Sequence, residues 1–363
     1  MKSLVTFGEI MARLAPEGVL RFRQAMPGRL QVTFAGAEAN VAVSYAYLGG
    51  SSRFVTALPA NPLADACVHT LEGIGVDTGH IVRTGEGRLG LYFVETGANQ
   101  RPGRVIYDRA GSSIAVTPPD AYDWNKIFDG AGWLHVTGIT PAVSKCAADA
   151  TLDAVRAAGE RGMKVSCDLN FRKKLWRWED GTDGRTLAER KIREILPHVD
   201  LVIANEEDAA DVLSIRADGT NVEEGRLSVE RYPAVAREIV RQFPNVDRVA
   251  VTLRESLSAS HNNWGALLYS RAGDQVVFAP EVDGAYRPYE IRNIVDRVGA
   301  GDSFAAALLY ALTSPELEEN GTAVAFAAAA SCLAHSVIGD FNFNTREEVE
   351  SLMKGSGSGR VVR

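Results

Sequence analysis

The sequence predicts an α/β protein with a mostly parallel central sheet, helices on both of its faces, and a small discontinuous β-sheet standing off it as a lid. Three observations carry this. Apolar, β-branched runs alternate with stretches of helical pattern, the rhythm of a sheet crossed by helices. Two regions, about 13–34 and 88–108, break the rhythm with strand-like pieces that have no helix between them. From Asp302 onward the chain is nearly all helical. At 363 residues, 46% hydrophobic and 23% charged, the composition is globular and reads as one domain over 1–363, lid included.

The strand candidates, in order, are Leu4–Phe7, Arg53–Ala57, Trp133–Val136, Lys164–Asp168, Leu201–Ala204 and Arg248–Leu253. Between them lie the helical stretches Glu38–Leu48, Ala64–Ile74, Ala147–Arg161, Leu187–Ile195 and Pro233–Phe243. Gly265–Arg271 and Gln275–Ala279 read as an antiparallel hairpin near the sheet edge. Ala323–Ala334 is mostly alanine, a tightly packed core helix, and Thr345–Met353 is the last helix. In the lid, Leu89–Glu95 and Arg104–Tyr107 alternate in character across the turn-rich stretch 97–103.

Composition excludes several classes. A net charge of −7 with no basic stretch argues against nucleic acid. No apolar run reaches the ~18 residues of a membrane span, and the first residues lack the apolar core of a signal peptide. The expected compartment is therefore the cytoplasm. Cys67, Cys146, Cys167 and Cys332 are far apart without metal spacing, and read as buried, reduced residues. The histidines are equally scattered. The tail after Met353 is rich in Gly and Ser and receives no function.

The most informative stretch is Asp296–Phe304. Two glycines bracket Ala300, so the backbone can turn tightly and approach a ligand. A helix beginning at about Asp302 presents free N–H groups and a dipole that favour an anion. A nucleotide phosphate suits that hole, and the adjacent carboxylate suits proton removal from an attacking hydroxyl. The same letters also fit a glycine loop with Asp302 as an ordinary N-cap. Gly36–Ala42 has the form of a tight loop entering a helix, where Asn40 offers a donor and an acceptor to a polyol. Arg172 follows a predicted strand at its carboxyl end, where open α/β sheets bind ligands. Asn205–Asp208 follows the next strand, with acidic groups suited to the waters around Mg²⁺ or to a helix N-terminus. Tyr92, Tyr107 and Arg109 fall on the lid strands. Arg109 sits in polar sequence where burial is not expected, as a ligand-binding or a solvated arginine. Gly85–Gly90 matches GxGxxG but leads into a strand, so it is a turn rather than a dinucleotide site. P-loop, HExxH, GxSxG and protein-kinase motifs are absent.

Together these motifs resemble the ribokinase-like (PfkB) carbohydrate kinases over essentially the whole chain. Gly36–Ala42 is similar to the family's first motif, and Asp296–Phe304 to its second and most specific. Within the family the pattern is most similar to members acting on 2-keto-3-deoxygluconate, through Gly8–Leu14, Phe22–Ala25, Gly36–Val43, Tyr107–Ser113, Thr252–Ser256 and His335–Asn342. The resemblance implies a ribokinase-like fold and transfer of phosphate from ATP to the terminal hydroxyl of that sugar acid. It implies Asp302 as general base, with Gly299, Ala300 and Gly301 lining the anion hole. Sugar-acid contacts are implied for Gly36, Tyr92, Tyr107, Arg109, Arg172 and Asp340, with Asn40 beside them. ATP contacts are implied for Asn205, Thr252, Gly299 and Gly301. Mg²⁺ would be served by Asp208 and, through water, Glu207; a monovalent cation such as K⁺ would lie near the carbonyls of Asp296 and Val298. Three departures stand out. Asp208 occupies the last position of a motif that ends in Glu in the family, Arg254 stands where many relatives carry glycine, and Ala259–Trp264 reads as an insert. The rival readings are a kinase for fructose, ribose or 2-keto-3-deoxygalactonate, and a non-catalytic sugar-acid-binding regulator on the same fold. A dehydrogenase is remote without a valid dinucleotide motif. The lid strands offer edges through which a homo-oligomer could pair.

Overall fold

A computed structural model of the protein describes residues 2–205, 207–215 and 229–355. Glu206 of the acidic motif and the tail from 356 lie outside the described residues. The main sheet runs Gln275–Ala279, His261–Ser270, Arg248–Ser258, Leu201–Ala204, Lys164–Asp168, Ala131–Thr137, Ser3–Phe7, Ser52–Val55. From Ser52–Val55 to Arg248–Ser258 every neighbouring pair is parallel, and the final two pairings are antiparallel.

Parallel strands are buried on both faces, which explains their continuous apolar runs. Successive residues feed opposite cores. Val5, Val165 and Val202 join the core beneath helices Lys145–Glu160, Gly184–Ile195 and Tyr232–Gln242. Leu4, Leu201 and Ile203 join the one that holds Ala300–Leu312 and Asn320–Ala334. The alanines of those two helices let their backbones approach closely. Helix starts follow caps: Asn61 accepts from Ala64 N, Ser144 from Ala147 N, and Asp183 from Arg185 N and Thr186 N.

Several expectations need correction. The Arg53–Ala57 strand divides at Thr56, and Ala57–Pro59 pairs with Val82–Thr84 instead of the main sheet. The hairpin strand begins at His261 rather than Gly265, because polar His261, Asn262 and Asn263 hide its continuation from an apolar pattern. The apparent insert is thus the tip of a long hairpin. That tip meets the lid, with Ala259 N donating to Asn99 O at 2.7 Å and Asn99 N to Ser260 Oγ at 3.0 Å. Cys67 and Cys167 are buried, but Cys146 and Cys332 are half-buried, since each sits where its helix turns partly toward the surface; all four are free.

The lid is a four-stranded sheet in the order Gln31–Ala35, Met11–Ala15, Gly90–Glu95, Arg104–Asp108, with a parallel central pair. Its first segment does contain a helical turn, Phe22–Ala25, fastened by Phe22 N donating to Glu95 Oε1 at 2.8 Å. Strand alternation puts Met11, Arg13 and Ala15 on one face and Ala12 and Leu14 on the other. Met11, Ala15, Tyr92 and Val94 pack together, while Ala12, Leu14 and Leu91 pack against the Ala37–Tyr47 side.

Candidate active site

A cleft of about 500 Å³ opens between the carboxyl ends of the parallel strands and the lid. Asp302, Gly299, Ala300, Gly301, Gly36, Asn40, Tyr92, Tyr107, Arg109, Arg172, Asp340, Asn205, Thr252 and Asp208 all line it. Glu207 and Asp296 do not. Residues from positions 9 to 340 meet there.

The glycine loop is built by sterics. Gly299 has φ 86°, and a Cβ on it would lie 2.2 Å from the Asp340 carbonyl oxygen. Gly299 therefore caps the helix, which starts at Ala300, and Asp302 is its third residue rather than its N-cap. A Cβ on Gly301 would meet nothing within 4 Å, so the first turn faces open cleft with its N–H groups available to an anion. Neighbours brace the turn: Ser331 Oγ donates to Ala300 O at 2.6 Å, and Asn342 Nδ2 to Ser303 Oγ at 2.7 Å.

Asp302 Oδ2 accepts from Asn40 Nδ2 at 2.6 Å, and Asn40 Oδ1 accepts from Gly36 N at 3.2 Å. The two glycine motifs are thus joined through one amide. Asn40's donor and acceptor, expected to face a polyol, serve the carboxylate and the loop. Gly36 is required because a Cβ would lie 1.9 Å from Glu9 O. Burial pushes the Asp302 carboxyl up to about 7, and the charges of Asp340 and Glu38 add to this against Asn40 and Arg172. A carboxyl titrating there is matched to general-base work near neutral pH.

On the lid side, Asp340 accepts from Tyr92 OH at 2.7 Å and from Arg13 Nη1 at 2.6 Å. Its carboxylate is engaged within the protein, leaving its role toward a sugar to the atoms around it. Arg109 corrects the expectation of exposure. It is only 7% exposed, paired with Glu9, with its guanidinium 5.6 Å from the Tyr107 ring centroid. A charge can be buried in polar sequence when a distant segment supplies the counter-charge, here Glu9, in the connection between Ser3–Phe7 and Met11–Ala15, at 3% exposure. Arg172 is exposed at the cleft, just after Asn170 in the left-handed region at φ 34°.

On the far side, Asn205 Oδ1 accepts from Glu207 N at 2.8 Å and Asp208 N at 3.0 Å, opening the short helix Asp208–Leu213. Asp208 accepts from Phe171 N at 2.9 Å and Asn205 N at 3.0 Å, so both of its oxygens are held by backbone. Asp168 lines the cleft, uses Oδ1 on Asn170 N at 3.1 Å, and is raised well above the carboxylate range by burial and by Asp208 and Asp302. Among the described residues no group of three or more acidic, His or Cys side chains is arranged to hold a metal. Mg²⁺ does not require one, since it keeps its waters and takes one or two carboxylates plus phosphate oxygens. Asp168 fits that demand better than Asp208 or exposed Glu207. Asp296 is saturated: Oδ1 accepts from Arg297 N at 2.8 Å and Val298 N at 3.2 Å, and Oδ2 from Arg13 and Gly339 N.

Glu9, Arg13, Glu38, Lys174 and Arg297 were not singled out by sequence reasoning, and Asp168 was read only as the start of the stretch that ends in Arg172. Arg13 carried a signal, as an ionised residue inside the otherwise apolar strand Met11–Ala15.

A helix-capped anion hole beside a buried carboxylate, under a β-lid, defines a phosphotransferase site. The chain belongs to the pfkB family of carbohydrate kinases, whose model matches residues 1–345, and is an ATP-dependent carbohydrate kinase on the ribokinase-like fold. It is 43% identical to a 2-dehydro-3-deoxygluconokinase of Thermotoga maritima, with a TM-score of 0.87 over 98% of each chain. It is 32% identical, over 98% of both chains, to a 2-dehydro-3-deoxygalactonokinase of Haloferax volcanii. A ribokinase II candidate of E. coli, solved with ATP and Mg²⁺, shares the fold at 19% identity and a TM-score of 0.72, over 98% of this chain and 100% of that one. Among the described residues no helix is long and apolar enough to cross a membrane.

Proposed function

We propose that the protein phosphorylates 2-keto-3-deoxygluconate on its terminal hydroxyl, giving 2-keto-3-deoxy-6-phosphogluconate and ADP. The observation that carries the choice is Arg109, a buried cation at the lid end of the cleft that holds Asp302. Glu9 balances its charge, but buried guanidinium N–H groups of Arg109 lack hydrogen-bond acceptors; a neutral sugar offers them hydroxyl oxygens, whereas a sugar carboxylate offers a stronger, charge-assisted partner. The 43% identity to the Thermotoga maritima 2-dehydro-3-deoxygluconokinase supports the same reading.

In this mechanism Arg109 holds the substrate carboxylate and Tyr107 packs beside it. Asp302 accepts the hydroxyl proton while the substrate oxygen bonds to the γ-phosphorus and the bond to the ADP oxygen breaks. Asn40 fixes the orientation of the Asp302 carboxylate. The first turn from Ala300 and the Arg172 guanidinium stabilise charge on the transferring group. Mg²⁺, with Asp168 holding its waters, would supply further neutralisation of the phosphates.

A coupled ADP-release assay over 2-keto-3-deoxygluconate, 2-keto-3-deoxygalactonate, fructose and ribose tests this. The expected order places the two sugar acids at least tenfold above the neutral sugars in kcat/KM. Preference for fructose or ribose overturns it, and absence of turnover on all four overturns it in favour of a different sugar for this kinase. The galactonate epimer is the second reading, favoured by the Haloferax relative.

A further inference from the structure

Arg13 lies on the lid strand Met11–Ala15, only 3% exposed, and reaches two carboxylates far along the chain. Nη1 donates to Asp340 Oδ1 at 2.6 Å and Nη2 donates to Asp296 Oδ2. Both partners touch the glycine loop. Asp296 accepts from the first two N–H groups of that loop, Arg297 and Val298, and the Asp340 backbone is what Gly299 packs against. The remaining oxygens are filled by Gly339 N, shared on Asp296 Oδ2, and by Tyr92 OH on Asp340 Oδ2. All four carboxylate oxygens therefore have a protein donor, and a guanidinium already sits between the two groups.

The expected monovalent cation at Asp296 does not fit this arrangement. Alkali ions are held by carbonyl and carboxylate oxygens. Here both carboxylates are spent on hydrogen bonds, which leaves the neutral carbonyls of Asp296 and Val298, and an ion added there would stand against the charges of Arg13 and the neighbouring Arg297. We propose that Arg13 is a positioning residue that does the work of a bound alkali cation. It sets the glycine loop from the lid and makes the enzyme indifferent to K⁺ and Na⁺. The proposal rests on the loop's being the ATP phosphate site, but not on which sugar is used.

The test begins with the unaltered protein. Thermal unfolding without substrates, and steady-state turnover with ATP, Mg²⁺ and the best sugar of the panel, are measured in KCl, NaCl and choline chloride at equal ionic strength. Midpoints are expected to agree within about a degree and kcat within about twofold. A saturable rise in midpoint of several degrees in KCl over choline, or a tenfold loss of kcat in choline, overturns the proposal. The unfolding arm needs no sugar, so a wrong substrate assignment leaves it decisive.

Arg13→Met removes the charge while keeping a similar stem. In choline its kcat should fall by at least about tenfold with both KM values within about threefold, the pattern of a misaligned loop rather than a lost contact. KCl should then raise both its midpoint and its kcat, a gain that a residue serving only to pack the lid would not produce. Full wild-type kcat for Arg13→Met in choline sinks the idea. Should Arg13→Met fail to fold, Arg13→Lys keeps the charge and is expected to stay cation-independent.

Discussion

Asp302 is held where its ionised form is costly, and that cost is useful. Its carboxyl titrates at about 7 because burial disfavours the charge. In the free enzyme kcat/KM should therefore rise with pH through an apparent value near 7, since the carboxylate is the reactive form. Asp302→Asn should lower kcat by about two to four orders of magnitude with little change in either KM. Stability moves the other way. A carboxyl raised above its unfolded value stabilises the fold below about pH 4 and loses that contribution as pH climbs through 7. Asp302→Asn should thus unfold at a higher temperature than the wild type at pH 8, with the gap clearly narrower at pH 5 and closing near pH 4. Thermal scans at the two pH values, set beside kinetics, check both halves; an unchanged gap would remove burial as the cause.

Arg109 makes a different prediction because it has a partner. Arg109→Ala should weaken the sugar acid by roughly 10- to 150-fold in KM, the loss of one charge-assisted bond of about 1.5–3 kcal/mol. KM for ATP should stay within about twofold. The same change strands Glu9 in a buried site and should lower the unfolding midpoint. Adding Glu9→Gln should restore the midpoint without restoring KM. Arg172→Ala differs again: its guanidinium is exposed at the cleft, where its charge favours the ionised forms of Asp168, Asp208 and Asp302, and a fall in kcat alongside affinity is expected.

At the scale of elements, the glycine turn opening helix Ala300–Leu312 is the sharpest target. Among the described residues nothing lies within 4 Å of a Cβ added to Gly301, and its φ is not left-handed. Gly301→Val should therefore fold with a midpoint close to wild type, because valine is no worse than glycine inside a helix. Its isopropyl group would fill the phosphate space, and ATP turnover should collapse. Calorimetric titration with ATP checks this; unchanged ATP affinity would move the phosphate site elsewhere. The elements themselves were legible to different degrees. Leu201–Ala204 is found residue for residue, because a strand buried on both faces announces itself as an unbroken apolar run; Lys164–Asp168 also matches, although only Val165 and Cys167 in it are apolar. The His261 end of the hairpin was not legible, since it leaves the core and its residues turn polar. The start at Ala300 was misplaced by two positions because Gly299 caps with a backbone conformation, not with the side chain that Asp302 seemed to offer.

For the whole molecule, the glycine loops and acidic positions of the cleft could be read because each carries its own local chemistry. The buried ionic network could not. Arg13 meets partners 283 and 327 positions away, and no spacing rule links them. Arg109 was misjudged for the same reason, as its counter-charge Glu9 is a hundred residues earlier in the chain.

The bond between Asn40 and Asp302 spans 262 positions. A ribosome therefore finishes the amide that aims the base long before it makes the base, and makes Asp340, against which Gly299 packs, later still. Chains caught in mid-synthesis carry half a sugar pocket and no phosphate cradle. They should consume no nucleotide while folding waits on the last helices. Translation stalled shortly before Asp302 and released shortly after Asn342 should show ADP formation only in the second case, which makes the order of synthesis itself a safeguard against idle ATP loss.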